Sequence, residues 1–353
     1  MNCLEVKKKR NMKKNMTYSA RQIFEVREDI PLIGHIAFGL IDRGTNLIQV
    51  RPTSLCPLSC IFCSVDAGPK SKYRNTEYIV DLDYLVDALR ALVEYKGVDD
   101  AQAHIDSVGD PITYPKIIDL IQSIREIEKV KVISLETHGA LLNEKLLDEM
   151  DAAGLSRLNL SIDAMDPKLA KVLSGTDWFN LSKVLDLAVY VSENLKMDLL
   201  IAPVWIPGIN DEDIPKLIEF AKRIGAGKKW PPLGIQKYEE HKYGRKPKGV
   251  KPMTWYNFYN TLRKWEREYG VKLILSPRDF GIYKVKSLPI VFRRRQKVSV
   301  KIVGPGWHKG EWLAVAKGRV VAILGVNEDP PVGSRVKVEI LRNKHNIYVG
   351  VLD

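Results

Sequence analysis

Arg51-Pro52-Thr53-Ser54-Leu55-Cys56-Pro57-Leu58-Ser59-Cys60-Ile61-Phe62-Cys63 holds three of the chain's four cysteines within eight residues, spaced by three residues and then two. Thiolate is a soft ligand, and three thiolates on one short loop can hold three irons of a four-iron, four-sulfur (4Fe-4S) cube. The nearest histidines, His35 and His104, are far along the chain. One iron is thereby left open to a ligand that is not protein. The competing reading is a zinc site, but structural zinc usually takes a fourth His or Cys.

This spacing, with Phe62 just before the last cysteine, resembles the radical S-adenosylmethionine (SAM) superfamily. The resemblance implies that the open iron chelates the amino and carboxylate groups of SAM. It further implies that an electron from the cluster cleaves SAM to a 5'-deoxyadenosyl radical, which abstracts hydrogen from a substrate. An electron donor such as a ferredoxin or flavodoxin goes with that chemistry. Phe62 would then lie against the adenine of SAM.

At 353 residues the chain can bury a full core and form one large domain plus a smaller one. Hydrophobic residues at 45% and charged residues at 28% are ordinary for a soluble protein. No run of eighteen apolar residues occurs and no signal-type stretch follows the basic N-terminus, so the expectation is a cytoplasmic protein with no membrane partner. An exposed cluster needs a reducing compartment, and Cys3, the leftover cysteine, has no disulfide mate.

The net charge of +12 is unevenly placed. Residues 1–16 carry six basic residues against one acidic, and 291–353 carry twelve against five, which leaves 17–290 formally neutral. A neutral body with basic ends points to a catalytic core with extremities that meet a polyanion. Four segments follow: a basic, disordered tail at 1–16, a β cap at 17–45, a barrel with its extension at 46–290, and a small β-barrel at 291–353.

Within the body, strand-like runs at Leu47–Arg51, His104–Val108, Val130–Glu136, Arg157–Ile162, Asp198–Val204 and Gly234–Tyr238 alternate with helical patterns. The helical patterns are Asp81–Tyr95, Tyr114–Ile127, Asn143–Ala153, Leu181–Asn194 and Glu212–Ile224, with apolar residues at three- and four-residue spacing. Asn143 is placed to cap the third. Parallel strands need crossovers, so βα units in series predict an α/β fold. The resemblance makes it a partial (βα)6 TIM-type barrel over about residues 46–240. A helix at Thr254–Tyr269 and a strand at Lys272–Ser276 are expected to close the body. Upstream, Glu25-Val26-Arg27 and His35–Ile41 read as short strands of the cap.

Past residue 290 the pattern becomes five short β-rich runs separated by Gly, Pro and Asn turns, which predicts a small OB-like barrel. Lys317-Gly318-Arg319-Val320-Val321 and Val332-Gly333-Ser334-Arg335-Val336-Lys337-Val338 resemble the TRAM domain, an RNA-binding barrel attached to several tRNA- and rRNA-modifying enzymes. Arg293, Arg294, Arg295, Lys297, Lys309, Lys317 and Arg319 would meet RNA phosphates, with Trp307 and Trp312 as stacking surfaces.

The strand ends carry the other motifs, and in a barrel catalytic residues belong there. Val108-Gly109-Asp110-Pro111 stands where the superfamily has a Gly-Gly-Glu-Pro type motif, with Val for the first Gly and Asp for Glu. The resemblance gives Gly109 and Asp110 to the methionine end of SAM. Glu136-Thr137-His138-Gly139 stands where relatives have Thr-Asn-Gly, which assigns Thr137 to the cofactor. Ser161 and Asp163, two apart and so on one strand face, match the residues at the ribose hydroxyls, although either can instead cap the following helix. Pro207-Gly208-Ile209-Asn210 resembles a turn beside adenine. For the substrate, His104, Asp106 and Gln236 are expected to point up the barrel, with Tyr238, His241, Tyr243 and Arg245 at the sixth strand end.

No second cysteine group is present to act as a sulfur source or extra cluster. The basic ends and the TRAM resemblance make the expected function modification of a nucleoside in RNA, tRNA above all, by a radical SAM enzyme. The alternative is the same chemistry on a small molecule or peptide, with the barrel as an accessory.

Overall fold

The computed structural model describes residues 21–353, so the basic tail at 1–16 and Cys3 lie outside the described part. Strands β1 (Gln22–Val26), β2 (Gly39–Asp42) and β3 (Leu47–Arg51) come first, and β4 (Thr76–Val80) follows the cysteine loop. Five further strands build the body: β5 (Ala101–Ile105), β6 (Val130–Thr137), β7 (Arg157–Leu160), β8 (Asp198–Ile201) and β9 (Val204–Trp205), followed by β10 (Gln236–Lys237). The sheet runs β2-β3-β5-β6-β7-β8, antiparallel at β2–β3 and parallel elsewhere. β10 pairs parallel with β9, and an Ile201–Leu233 bridge joins this pair to the sheet. Six parallel strand positions result, with β9 continuing β8, as the alternating pattern predicts.

Helices α1 (Leu82–Lys96), α2 (Ile117–Arg125), α3 (Glu144–Ala152), α4 (Pro167–Ser174), α5 (Leu181–Asn194) and α6 (Asp213–Arg223) make the crossovers, and α7 (Trp255–Tyr269) follows. Asp81, Asn143, Asp166, Asn180 and Thr254 cap helices with side chains that accept an N–H of the first turn. Strands covered on both faces are largely apolar, and all four residues of β8, Asp198 included, are buried.

Several expectations are corrected. Lys272–Ser276 is not a strand, because the N–H groups of Leu273 and Ile274 both donate to Glu266 Oε1 at 2.8 Å rather than to a ladder. Of the His35–Ile41 run only its end pairs, since Ala37 N–H turns back to His35 Nδ1 at 3.2 Å. The second strand lies three residues earlier than the His104–Val108 reading, which frees Val108 for the loop. β4, parallel to β1, and helix α4 were unforeseen.

The C-terminal unit is a closed barrel of β11 (Lys297–Pro305), β12 (Glu311–Ala316), β13 (Arg319–Leu324), β14 (Arg335–Arg342) and β15 (Val349–Leu352), in the order β11-β12-β13-β15-β14. β13 and β15 are parallel and the other pairs antiparallel, which is the OB-type connection. Phe292, Val300, Ile302, Val321, Ile323 and Tyr348 are among its buried core.

The barrel is hydrogen-bonded to the body. Val320 N–H donates to Ile33 O and Tyr348 N–H to Gly34 O, both at 2.9 Å. A Cβ at Gly34 (φ +129°) would lie 2.3 Å from Val320 O, so the close approach needs glycine. On the other side Asn75 N–H donates to Trp307 O at 2.8 Å and Lys309 N–H to Tyr73 O at 2.9 Å. Arg74, fully buried between these segments, donates to Ser54 O at 2.8 Å, Val65 O at 3.2 Å, Val108 O and the Glu77 carboxylate at 3.1 Å. Its guanidinium also lies 4.9 Å from the Trp307 ring centre. Arg74→Ala leaves buried carbonyls and part of the Glu77 charge unpaired; loss of one partner from such a network costs about 3–5 kcal/mol. An unfolding free energy lowered by that amount in urea titration is expected, and an unchanged midpoint and slope would refute the network's weight.

Candidate functional site

The cysteine loop leaves the end of β3 and is pinned from three sides. Ser54 Oγ donates to Glu77 at 2.6 Å and accepts Tyr78 N–H at 2.8 Å. The C-terminal end of α4 lies beneath, taking Ser59 N–H at Ser174 O and Ile61 N–H at Leu173 O, both 2.9 Å. Gly175, in the left-handed region at φ +63°, allows that docking, since a Cβ there would be 2.1 Å from Ser59 O. From the far end of the body Arg245 closes over the loop. Its guanidinium binds Asp66 at 2.9 Å, Cys60 O at 2.9 Å and Ala67 O, and its backbone N–H donates to Cys63 O at 2.8 Å.

Cys56, Cys60 and Cys63 all line one cavity of about 310 Å³ and form no disulfide. Burial pushes the Cys56 and Cys60 thiols well above their ordinary range, and for Cys60 the neighbouring sulfurs of Cys56 and Cys63 add to the rise. Such thiols ionise when a cationic centre binds them. Cys63 Sγ already accepts the Ala67 N–H at 3.2 Å, a bond suited to a liganding thiolate. Among the described residues no three His, Cys, Asp or Glu side chains close on a single ion. Three soft donors on one open cavity fit a cluster, held by Cys56, Cys60 and Cys63.

Phe62, Gly109 and Ser161 reach the same cavity. Gly109 proves necessary for a reason other than ligand approach: a Cβ there would sit 2.0 Å from Leu55 O and 2.4 Å from Ser54 O, within the cysteine loop itself. Asp110 and Thr137 face each other rather than the cavity. The Asp110 carboxylate accepts Thr137 Oγ1 at 2.8 and 2.9 Å and His138 N–H at 3.2 Å, and caps the turn at Ile112. They tie the second strand end to the third. Asp163 is turned away in a similar manner, with Oδ1 accepting Val204 N–H at 2.8 Å. Burial raises the Asp110 and Asp163 carboxyls, with His138 nearby working the other way. Pro207 and Gly208 are outside the cavity wall, in a turn knitted by Asn210 and Asp211.

Gln236, Tyr238 and His241 line the cavity as expected, but Arg245 is the loop clamp and makes no cavity contact. His104 lies below, bonded to Ser134 Oγ at 2.8 Å and 3.6 Å from the Glu136 carboxylate. Asp106 is taken up by Arg51 at 2.7 Å. Sequence reading passed over Glu136 and His138, which both line the cavity; His138 Nε2 is 3.9 Å from Cys60 Sγ and its Nδ1 3.9 Å from Asp163. A signal was present, since both residues belong to the Glu136-Thr137-His138-Gly139 run at the third strand end.

On the barrel, Arg293, Arg294, Arg295, Lys297, Lys309 and Lys317 are exposed, and Arg319 is half-buried beside Asn346. Lys297 is paired with Asp353 at 2.6 Å. Trp307 and Trp312 are corrected: they are only 4% and 7% exposed. Trp307 packs against Arg74 and His35, and Trp312 donates its Nε1–H to Glu328 O at 2.9 Å, so neither offers a ring face to RNA.

A half-barrel with three cysteines at the end of its first parallel strand is the architecture of an iron–sulfur radical enzyme. The family profile described as the radical SAM superfamily matches residues 50–221. An uncharacterized protein of Methanocaldococcus jannaschii is 45% identical over 361 residues, covering 97% of this chain and 83% of that one. The GTP 3',8-cyclase of Alkaliphilus oremlandii is 30% identical over 185 residues, covering 51% of this chain and 54% of that one, so the chain spans about half the length of such relatives. Among solved structures, Streptococcus suis SuiB bound to S-adenosylmethionine is 18% identical with a TM-score of 0.48, covering 69% of this chain and 51% of that one. Archaeal TYW1 is 18% identical with a TM-score of 0.43, covering 70% and 80%. The chain belongs to the radical SAM superfamily, whose cofactors are a 4Fe-4S cluster and SAM.

Two outcomes follow. Replacing Cys56, Cys60 or Cys63 by Ala is expected to abolish loading of about four irons per chain after anaerobic reconstitution, read by iron and sulfide content and visible absorption. Gly109→Ala should displace the Leu55 carbonyl and lower iron content with all three cysteines intact; full loading of that variant would show that the contact can relax.

Proposed function

We propose that this radical SAM enzyme modifies a nucleoside within RNA, with tRNA as the principal substrate and the C-terminal barrel acting as a TRAM-like RNA-binding module. The observation that carries the reading is the outer face of β11 and β14. There Lys301 sits directly opposite Arg335, and Ser299 opposite Lys337, with all three cations exposed. Like charges across a strand pair repel, and a polyanion laid over them removes that cost. Arg293, Arg294 and Arg295 extend the charge at the entry to the barrel.

In this reading each part of the site has a task. When bound, the cluster and SAM supply a one-electron cleavage and a hydrogen-abstracting radical. Cys56, Cys60 and Cys63 hold three irons, while Arg245 and the α4 end keep their loop in place. Phe62 and Tyr238 supply buried aromatic wall that excludes water. Gly109 and Ser161 meet SAM, and Asp110, Thr137 and Asp163 position the strand ends around it. Glu136, Gln236 and His241 offer polar groups toward the substrate.

A second reading keeps the radical chemistry and gives it a small nucleotide, which the partial match to GTP 3',8-cyclases favours. Binding separates the two. With about six phosphates engaged, tRNA affinity should fall roughly a thousandfold between about 50 and 200 mM salt. Charge-neutral replacement of Lys301, Arg335 and Lys337 should flatten that slope. No tRNA binding at low salt, together with tight binding of a free nucleotide, would transfer the proposal to the second reading.

A further inference from the structure

With Trp307 and Trp312 buried, exposed aromatics cluster on the first turns of α7, while Trp178, Tyr283 and Tyr73 are exposed singly elsewhere. Trp255 is 54% exposed, Tyr256 75% and Tyr259 37%. Trp255 and Tyr259, one helical turn apart, have rings within 24° of parallel and centroids 5.7 Å apart. Phe258 between them turns inward, edge-on to Trp255 at 5.8 Å and packed on Trp205 at 5.9 Å. Thr254 caps the helix through Asn257 N–H. The aromatic strip therefore stands on a fixed base.

This strip adjoins the cysteine cavity. Lys237 belongs to the cavity wall, and its Nζ lies 4.8 Å from the Trp255 ring centre. The surroundings are strongly cationic. Residues 241–264 contain seven Lys or Arg and no Asp or Glu, with Lys242, Lys246, Lys248, Lys251, Arg263 and Lys264 exposed. Lys246 is spoken for by Glu240 at 3.1 Å. Flat rings amid lysines at a cavity mouth match the two terms by which single-stranded nucleic acid is held, base stacking and phosphate attraction. Exposed aromatic area of this kind otherwise costs solubility.

We propose that the Trp255–Tyr259 strip stacks an unpaired base of the RNA strand beside the target nucleoside, while Lys248 and Lys251 hold the adjoining phosphates. The proposal rests on the RNA reading above and adds where the strand is gripped. The strip thus recognises a single-stranded or splayed segment rather than a duplex, whose bases are already stacked on one another.

The test uses the full chain and a labelled tRNA with a matching single-stranded oligoribonucleotide, titrated at several salt concentrations. Trp255→Ala and Tyr259→Ala should each weaken oligonucleotide binding about ten- to a hundredfold with the salt slope unchanged. Trp255→Phe should recover most of the affinity. Lys248→Ala with Lys251→Ala should instead lower the slope by about two. Thermal melting and iron content check that each variant is folded. If wild-type protein binds tRNA and Trp255→Ala leaves affinity within twofold, the strip is refuted while the RNA reading stands. A change of oligomeric state without a change in RNA affinity refutes it as well, making the strip a protein contact. If the wild type binds no RNA, both fall.

Discussion

A guanidinium without solvent organises this molecule. Arg74 has each of its three nitrogens bonded to carbonyls or carboxylate drawn from the cysteine loop, β4 and the loop after β5, with Trp307 of the barrel beside it. A charge that deep is tolerated only when every donor is met. Its geometry therefore adds side-chain ties among three segments that the backbone joins only at a few points, Ser54 with Tyr78, Val80 with Pro52 and Asp110 with Leu55. Two of them, the cysteine loop and the Val108-Gly109 turn, border the cavity. The third brings the barrel alongside. Precision at the cysteines is thus a consequence of polar satisfaction some distance behind them.

The parallel body was legible because its signals are local and repeated. Apolar runs and amphipathic helices recur with short connections, and side-chain caps such as Asn143 mark helix starts. Boundaries that depend on distant partners were not. β4 forms because β1 lies parallel to it over five residue pairs, and nothing in Thr76–Val80 announces that partner. The Lys272–Ser276 stretch looks like a strand by composition, yet the Glu266 carboxylate takes its amide groups. The five barrel strands were readable from turn spacing, whereas the β13–β15 parallel closure was a matter of topology.

The site divides in the same manner. The cysteines were legible because ligand spacing is written in consecutive residues. Asp110, Thr137 and Asp163 occupy the places a motif assigns them, but whether a carboxylate faces a ligand or a neighbouring amide depends on which group arrives at hydrogen-bond distance. Tryptophan posed the same difficulty. Trp307 and Trp312 sit in a basic segment and look like stacking residues, while Trp255 sits in a helix that reads as body. Trp307 and Trp312 are buried and Trp255 is exposed, and burial is not a property of a residue's own neighbours in sequence.

The docked barrel bears on how an extended substrate, as proposed above, would meet a small cavity. Radical chemistry needs the target carbon close to the point of hydrogen abstraction, whereas phosphate attraction acts loosely over many ångströms. The two scales have to be joined by something stiff. Here the join is short: Lys309 and Tyr73 share a backbone hydrogen bond, Tyr73 packs edge-on against Tyr243, and Tyr243 stacks on His308 of the barrel. Tyr243 belongs to the segment that also supplies His241 to the cavity and Arg245 to the cysteine loop. A polyanion seated on the barrel would consequently be referenced to the cysteines through packed rings and backbone hydrogen bonds rather than through a linker, and its position would carry over to the reacting carbon.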